Sequence, residues 1–516
     1  MAKSAQAYQA VILLFGQVIA TLAEALVPLF IVRLLPKAEV GILTETLLIY
    51  ATVALIATNG LPGTLSYHLP SRSRAERAAI SRRVTGLLVA IGLATGAVMA
   101  AVGVIGAASQ ASPTWRYLGY LALLPVGDIP VRMLPNLLVI EDRPRAAAAI
   151  GVIRALVMIG AVLVPLLGGM DIDTIPLVLN AVGGLYLALT LWALYVIYRG
   201  VERQASPVGR WQAMRFALPL GLTQIVGNLN RHTDRLIIAL LFSEVIYAEY
   251  QAGSWQLPLI PSITYAVSVT YSPLFTSLFR EGRAREVVRV WRAQSVKTAL
   301  IVVPISAIFA VAAEETVELL FTASYAPAAN VFRCYSIMTM ARITAYGSIP
   351  LAAGHPQYIA RASTITLIFN LITSLALVAV LGVIGPAIAT LLSMIPMVLI
   401  YIYYISQCTG VRFREVFPLR EYLQVVAVCA LGCAGAIAFK LLVPASAAVS
   451  LAAQAGITTA VFALVGTLTG IIEADDWRFL VGWLSQLIKK PTNASSDSAS
   501  DSRPPEGRAD GADPQG

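Results

Sequence analysis

Gln224, Asn228, Arg231 and Arg235 are spaced four, three and four residues apart. On a helix that spacing lines them up as one polar stripe over three turns. Asn230 and Asp234, four apart, form an adjoining stripe. Both lie in or beside "GNLNRHTDRLIIALLF", Gly227 to Phe242, inside a long apolar run. Hydrocarbon cannot solvate such a stripe, so it should line water or a ligand, or lock helices together. Arginine suits a phosphate, because its planar fork donates two parallel hydrogen bonds and keeps its charge. The stripe of Gln224, Asn228, Arg231 and Arg235 is therefore a candidate anion site. His232 fits neither stripe.

Other charges fall inside apolar runs: Arg132, Arg154, Arg333 and Arg342, with Glu24, Glu45 and Asp128. A charge at bilayer depth costs at least about 2.5–3.5 kcal/mol, so it normally faces a bundle interior or a wet cavity. Interior arginines outnumber interior acids, which favours an anionic substrate over a cationic one. Arg132, Arg154 and Arg342 join the anion-site candidates. Asp128 and Arg132 are one helical turn apart and can pair, as structure or as site. Arg333 and Glu45 sit near ends, where the first can snorkel and the second is interfacial. Enzyme signatures are weak. Asp171 and Asp173 form a short Asp-x-Asp in a turn, and His68, His232 and His355 are scattered. No Gly-rich phosphate loop occurs. Cys429 and Cys433 read as small helix residues, and Cys334 and Cys408 have no metal spacing.

The elements that must hold these residues follow from composition. The chain has 516 residues, 58% hydrophobic and 13% charged, with mean hydropathy +0.75. Soluble chains average roughly 45–50% apolar and about 25% charged. The excess runs along the whole chain, so the expected class is all-α, a polytopic integral membrane protein. About fourteen transmembrane helices are expected, numbered here as spans. They cover 10–32, 40–68, 84–108, 117–140, 147–168, 176–198, 213–241, 250–279, 296–320, 329–352, 362–381, 386–406, 422–442 and 449–472. The links alternate in charge. One set gathers Arg72 to Arg83, Arg143, Arg145, Arg199 to Arg215, Arg280 to Lys297, Arg361 and Arg412 to Arg420. The other holds Arg33, Lys37, Arg116 and Lys440. Positive residues stay cytoplasmic, so both termini are expected there, in a cytoplasmic (inner) membrane, and the net charge of +9 does not signal nucleic acid.

"RLLPKAEVGIL" (Arg33 to Leu43) and "ALLFSEVIYAEY" (Ala239 to Tyr250) repeat one pattern between spans 1–2 and 7–8. Each is followed by a helix and then a basic connector. Two six-helix lobes related by a parallel pseudo-two-fold repeat are expected, 1–198 and 199–421, plus two extra helices at 422–472. Residues 473–490 read as an amphipathic interfacial helix and 491–516 as a disordered cytoplasmic tail.

With the strings "DRLIIALLFSEVIYAEYQAGSWQLP" and "GHPQYIARASTITLIFNLITSLALVAVLGVIGPAIATLLS", residues 10–406 resemble the polysaccharide-export, Wzx-type flippases of the MATE/MOP superfamily. The resemblance implies two lobes around a cavity open to each side in turn. It implies a transporter, not an enzyme, moving an isoprenoid-pyrophosphate-linked oligosaccharide for cell-surface polysaccharide. The lipid bilayer and that substrate are its partners, a polymerase and glycosyltransferases share the pathway, and the protein is a monomer. Some relatives place sodium among spans 7, 11 and 12. The matching positions are Asp234, Asn370 and Thr390, with Ser374 where another carboxylate is expected. Asn230 and Glu24 complete the coupling-ion candidates, for sodium or a proton, and no other cofactor is implied. Lipid II flippases carry arginines on spans 1, 2 and 8; this chain has Glu24 on span 1 and no interior arginine on spans 2 and 8, which argues against lipid II. A MATE-like, cation-coupled exporter of small organic molecules and a membrane polysaccharide-processing enzyme are the alternatives.

Overall fold

The computed structural model describes residues 26–108, 112–202, 204–256 and 259–473. Glu24, most of span 1, most of the interfacial segment and the tail lie outside them. The chain divides into two compact units, Met1–Phe462 and Ala463–Gly516. In the second, helix ends at Leu468 and the chain turns through Gly470.

Every element of the described residues is helical. Spans 3, 5, 6 and 7 run over Arg74–Ala108, Pro144–Leu167, Thr174–Ile197 and Arg210–Leu241. Spans 9 and 11 to 14 run over Ala284–Val311, Pro356–Leu381, Gly385–Thr409, Leu419–Leu442 and Ala447–Leu468. The basic connectors differ from expectation, because they are helical extensions of spans 3 and 9. Before span 3 the cause is a capping box. The Ser73 hydroxyl accepts from the Glu76 backbone N–H at 3.3 Å, and the Glu76 carboxylate accepts from the Ser73 N–H at 3.0 Å. Before span 9, Gly282 turns the chain with positive φ and Arg283 grips Glu286 at 2.7 Å.

Five spans are broken, span 9 among them, which continues after Ala312 as Ala313–Phe321. Span 2 consists of Lys37–Thr58 and Leu61–His68, and span 4 of Pro113–Tyr120, Leu124–Val131 and Leu134–Ile140. Span 8 consists of Glu244–Gly253 and Leu259–Arg280, and span 10 of Ala329–Met340 and Ser348–Ala352. Pro125, Pro130 and Pro135 lack the amide hydrogen that a continuous helix needs and crowd the preceding turn. In span 2 the break is Asn59–Gly60, both with positive φ. A Cβ on Gly60 would lie 2.6 Å from the Gly221 nitrogen of span 7, so only glycine lets the two spans cross.

Eight helices among the described residues are long and apolar enough to cross a membrane, with a ninth if the pair Pro113–Tyr120 and Leu124–Ile140, bent by 67°, is one span. In that count Pro356–Thr409 is a single run of 54 residues, where the turn Gly382–Ile384 separates spans 11 and 12. Span 7 is outside the count because it carries Arg231, Asp234 and Arg235, span 10 because its helices are short, and span 8 because Leu259–Arg280, though long enough, interleaves Ser, Thr, Tyr and Pro. The fold class is thus an all-α, polytopic membrane protein.

The links gather at two ends in alternation. At one end Lys37 pairs with Glu249 at 2.6 Å, Ser112 donates to Glu244 at 2.6 Å, and Arg33 donates to the Leu319 and Leu320 carbonyls at 2.8 and 2.7 Å. Gly41 lies so close to Glu244 that a Cβ would meet its carbonyl oxygen at 2.0 Å. Glu314 pairs there with Arg333 and Lys440, and Glu315 accepts from Ser450 and Gln454 at 2.9 Å each, tying spans 13 and 14 on. At the arginine-rich end Arg77 pairs with Glu141 at 3.3 Å and Arg292 with Glu421 at 3.1 Å. Glu45 lies near the first of these ends, beside Thr114 and Glu244, and is covered by protein. It is 3% exposed, because spans 4 and 8 pack over span 2 at that level.

Candidate functional site

The breaks in spans 8 and 10 face each other, with span 7 beside them. A broken helix leaves carbonyls without their i+4 donors, and at membrane depth these must be satisfied by other groups. In span 10 the Thr264 hydroxyl donates to the Arg342 carbonyl at 2.9 Å, Tyr346 to Ala341 at 2.8 Å and Tyr422 to Met340 at 3.1 Å. In span 8 the Ser254 carbonyl accepts from Arg235 Nη2 at 3.0 Å. Arg342 leaves the non-helical segment and donates from Nη1 to Gln256 Oε1 at 2.8 Å.

Arg231 is exposed, and its polar contact is Asn228 Oδ1 at 3.5 Å. Gln224 is also exposed and Asn228 half-buried. Arg231 and Arg342 are close enough for their like charges to repel. Neither has an ion pair with a carboxylate among the described residues. An apolar pocket of about 560 Å³ opens beside the same break, lined by Tyr346, Met394, Val398, Ile402 and Phe417, with Arg414 at its edge.

The other candidates fall into separate groups. Asp128, 1% exposed, accepts from Arg132 Nη2 at 2.6 Å and from Tyr50 at 2.8 Å, and faces Arg154 Nη2 at 3.4 Å. Arg132 and Arg154 therefore share one buried carboxylate instead of standing as free cations. The Arg154 carbonyl accepts from Tyr186 at 2.9 Å. Asp234, 1% exposed, accepts hydrogen bonds from the Tyr250 hydroxyl at 2.8 Å and from the Tyr335 hydroxyl. Arg235 lies next to it and interacts with its charge. His232 is half-buried, and its Nδ1 is without a hydrogen-bond partner. Asn230 is half-buried.

Asn370 is brought together with Thr390, to which its amide donates at 3.5 Å, and with Ser374, whose hydroxyl donates to Asn370 Oδ1 at 2.9 Å. No hydrogen bond among the described residues joins this group to Asp234. A sodium ion needs several converging oxygens. Here the Asp234 oxygens are met by tyrosine hydroxyls, the Asn370 oxygen is taken by Ser374, and the Asn370 amide nitrogen faces Thr390. The side chains present do not fit sodium.

Sequence reasoning found Arg231, Arg342 and Asp128 but missed Tyr50, Tyr250, Tyr335 and Gln256. The signal for Gln256 was its place in "GSWQLP", where Gly253 and Pro258 bracket a break. The tyrosines gave none, since a buried tyrosine is common in any helix.

Three comparisons bear on this arrangement. Residues 8–279 match the family described as polysaccharide biosynthesis protein. A protein of Haloferax volcanii, named probable low-salt glycan biosynthesis flippase Agl15, is 22% identical over 307 residues. That similarity covers 58% of this chain and 64% of the relative. Among solved structures, the lipid II flippase MurJ in an inward closed conformation superposes with a TM-score of 0.68 at 13% identity, over 92% of this chain and 99% of that one. An inward-facing multidrug resistance MATE family transporter of the MOP superfamily gives 0.54 at 13% identity, over 76% and 96%. The fold is the one these two structures share, and with more than half of its length matched the chain belongs to the polysaccharide biosynthesis protein family.

Proposed function

We propose that the protein is a flippase that carries an isoprenoid-pyrophosphate-linked oligosaccharide across the cytoplasmic membrane for cell-surface polysaccharide. The observation that carries this reading is the pair Arg231 and Arg342, two cations beside broken helices with no paired carboxylate. Discontinuous membrane helices are where transporters place their substrate sites. A pyrophosphate would supply the missing negative charge through bidentate hydrogen bonds. The apolar pocket flanking the Arg342 segment suits an amphiphile better than a small hydrophilic anion. The name of the Haloferax relative supports a glycan substrate.

The arginine-rich end is cytoplasmic in this reading, with both termini on that side. The two sides of the membrane gain access to the site in turn, and an ion gradient drives the cycle. A proton is the coupling ion in this reading, and Asp234, a carboxyl 1% exposed within the bundle, is the group that carries it. A polymerase and glycosyltransferases of the same pathway supply and consume the substrate, and the protein works as a monomer.

The test is complementation of a deletion strain. Arg231→Ala and Arg342→Ala are each expected to lower surface polysaccharide at least about tenfold at normal protein level, while lipid-linked precursor accumulates, since a charge-assisted contact is worth about 1.5–3 kcal/mol. Wild-type export by both variants would overturn the assignment.

A further inference from the structure

Spans 4 and 10 are both broken, and each presents an arginine at its break, Arg132 and Arg342. One turn before Arg132 stands Asp128, and one turn before Arg342 stands Met338, 1% exposed. The two spans thus place an arginine at a break with opposite electrical outcomes. In spans 4 and 5 a buried carboxylate accepts from Arg132 at 2.6 Å and 3.2 Å, faces Arg154 at 3.4 Å, and takes a third bond from Tyr50 of span 2. In spans 7 and 10, Arg231 and Arg342 face two amide oxygens, of Asn228 and Gln256, and one another.

We infer that Asp128 is a specificity-determining residue, a resident counter-anion that occupies the arginines of spans 4 and 5 and so directs the substrate's phosphates to Arg231 and Arg342. This rests on the flippase reading above. A carboxylate fixed in a protein cavity competes with any incoming anion for the same guanidinium forks, and burial strengthens its hold because no water screens the pair. Arg132, the more tightly held, is 20% exposed in its side chain, and Arg154 is 35% exposed with its Nε buried and without a partner. Arg154 keeps other N–H groups, but an anion approaching them meets the fixed negative charge of Asp128, 3.4 Å from Nη2. Among the described residues no such competitor stands at Arg231 or Arg342. The consequence is a one-sided electrostatic lining. The phosphates are held by spans 7 and 10, and the sugar side of the substrate meets a wall on spans 4 and 5 where Asp128 offsets one of the two arginine charges.

The experiment measures binding of farnesyl pyrophosphate to the purified full-length protein in nanodiscs, with farnesol as the uncharged control. Arg154→Gln is expected to stay within about twofold of wild type, and Asp128→Glu likewise, because the counter-anion is kept. Asp128→Asn, which frees both arginines, is expected to tighten binding about tenfold or to add a second equivalent. Arg342→Gln is expected to weaken it about tenfold. The inference is overturned if Arg154→Gln weakens binding tenfold, or if a folded Asp128→Asn protein binds like wild type. Should Asp128→Asn fail to fold, Arg154→Gln and Asp128→Glu still decide. A wild-type protein that binds farnesyl pyrophosphate no better than farnesol would instead overturn the flippase reading itself.

Discussion

Asp234 and Asp128 are equally buried acids with different neighbours. Two arginines answer the charge of Asp128, whereas Asp234 rests on two phenol hydroxyls and the adjacent Arg235. Hydrogen bonds to a buried charged group are worth about 1.5–3 kcal/mol each. Tyr335→Phe should therefore lower the unfolding temperature of the detergent-purified protein clearly. In the Asp234→Asn background the same change should cost much less, because the charged acceptor is gone. Equal losses in both backgrounds would show that Tyr335 acts through packing alone. The polar stripe on span 7 was readable because spacing alone sets which residues share a helical face. The tyrosine partners on spans 8 and 10 were not, because spacing within one helix says nothing about which neighbour turns toward it.

At the scale of elements, glycine placement sets how spans approach. Gly41→Val would put its side chain into the Glu244 backbone, where a Cβ already meets the carbonyl oxygen at 2.0 Å. This variant should keep its fold through the rest of the bundle yet fail to close spans 2 and 8. The expected readout is a thiol at position 38 that becomes reactive to an impermeant reagent in whole cells, with export reduced. Unchanged reactivity would mean that this contact is not a moving one. Most span boundaries were legible because runs of about 20 apolar residues leave few ways to be misread. The breaks were less so. Prolines occur in intact spans as well, Pro165 in span 5 and Pro219 in span 7 among them, so their presence did not say which helix would part. Spans 8 and 10 part where a tertiary contact supplies substitutes for the lost backbone bonds, as Thr264 and Tyr422 do for span 10. The helical connectors could have been read from Ser73 and Glu76, whose spacing is that of a capping box.

At the scale of the whole molecule, the links alternate between two ends, and basic residues concentrate at one. A cysteine at position 282, in the turn before span 9, should be labelled by an impermeant maleimide in inside-out vesicles and spared in whole cells; the reverse pattern would invert the proposed orientation. Lys37→Cys with Glu249→Cys, joined by a short cleavable cross-linker, should stop export, and cleavage should restore it. Export that continues while the cross-link is intact would exclude separation of spans 2 and 8 from the cycle. The Lys37–Glu249 pair also sets a thermodynamic scale. Its side chains are 26% and 19% exposed. A part-buried pair of this kind is worth on the order of 1 kcal/mol, a weighting of about fivefold. Such a latch biases a population without trapping it, so thermal agitation alone can undo it many times in each turnover, and raising the ionic strength should shorten the time it stays shut.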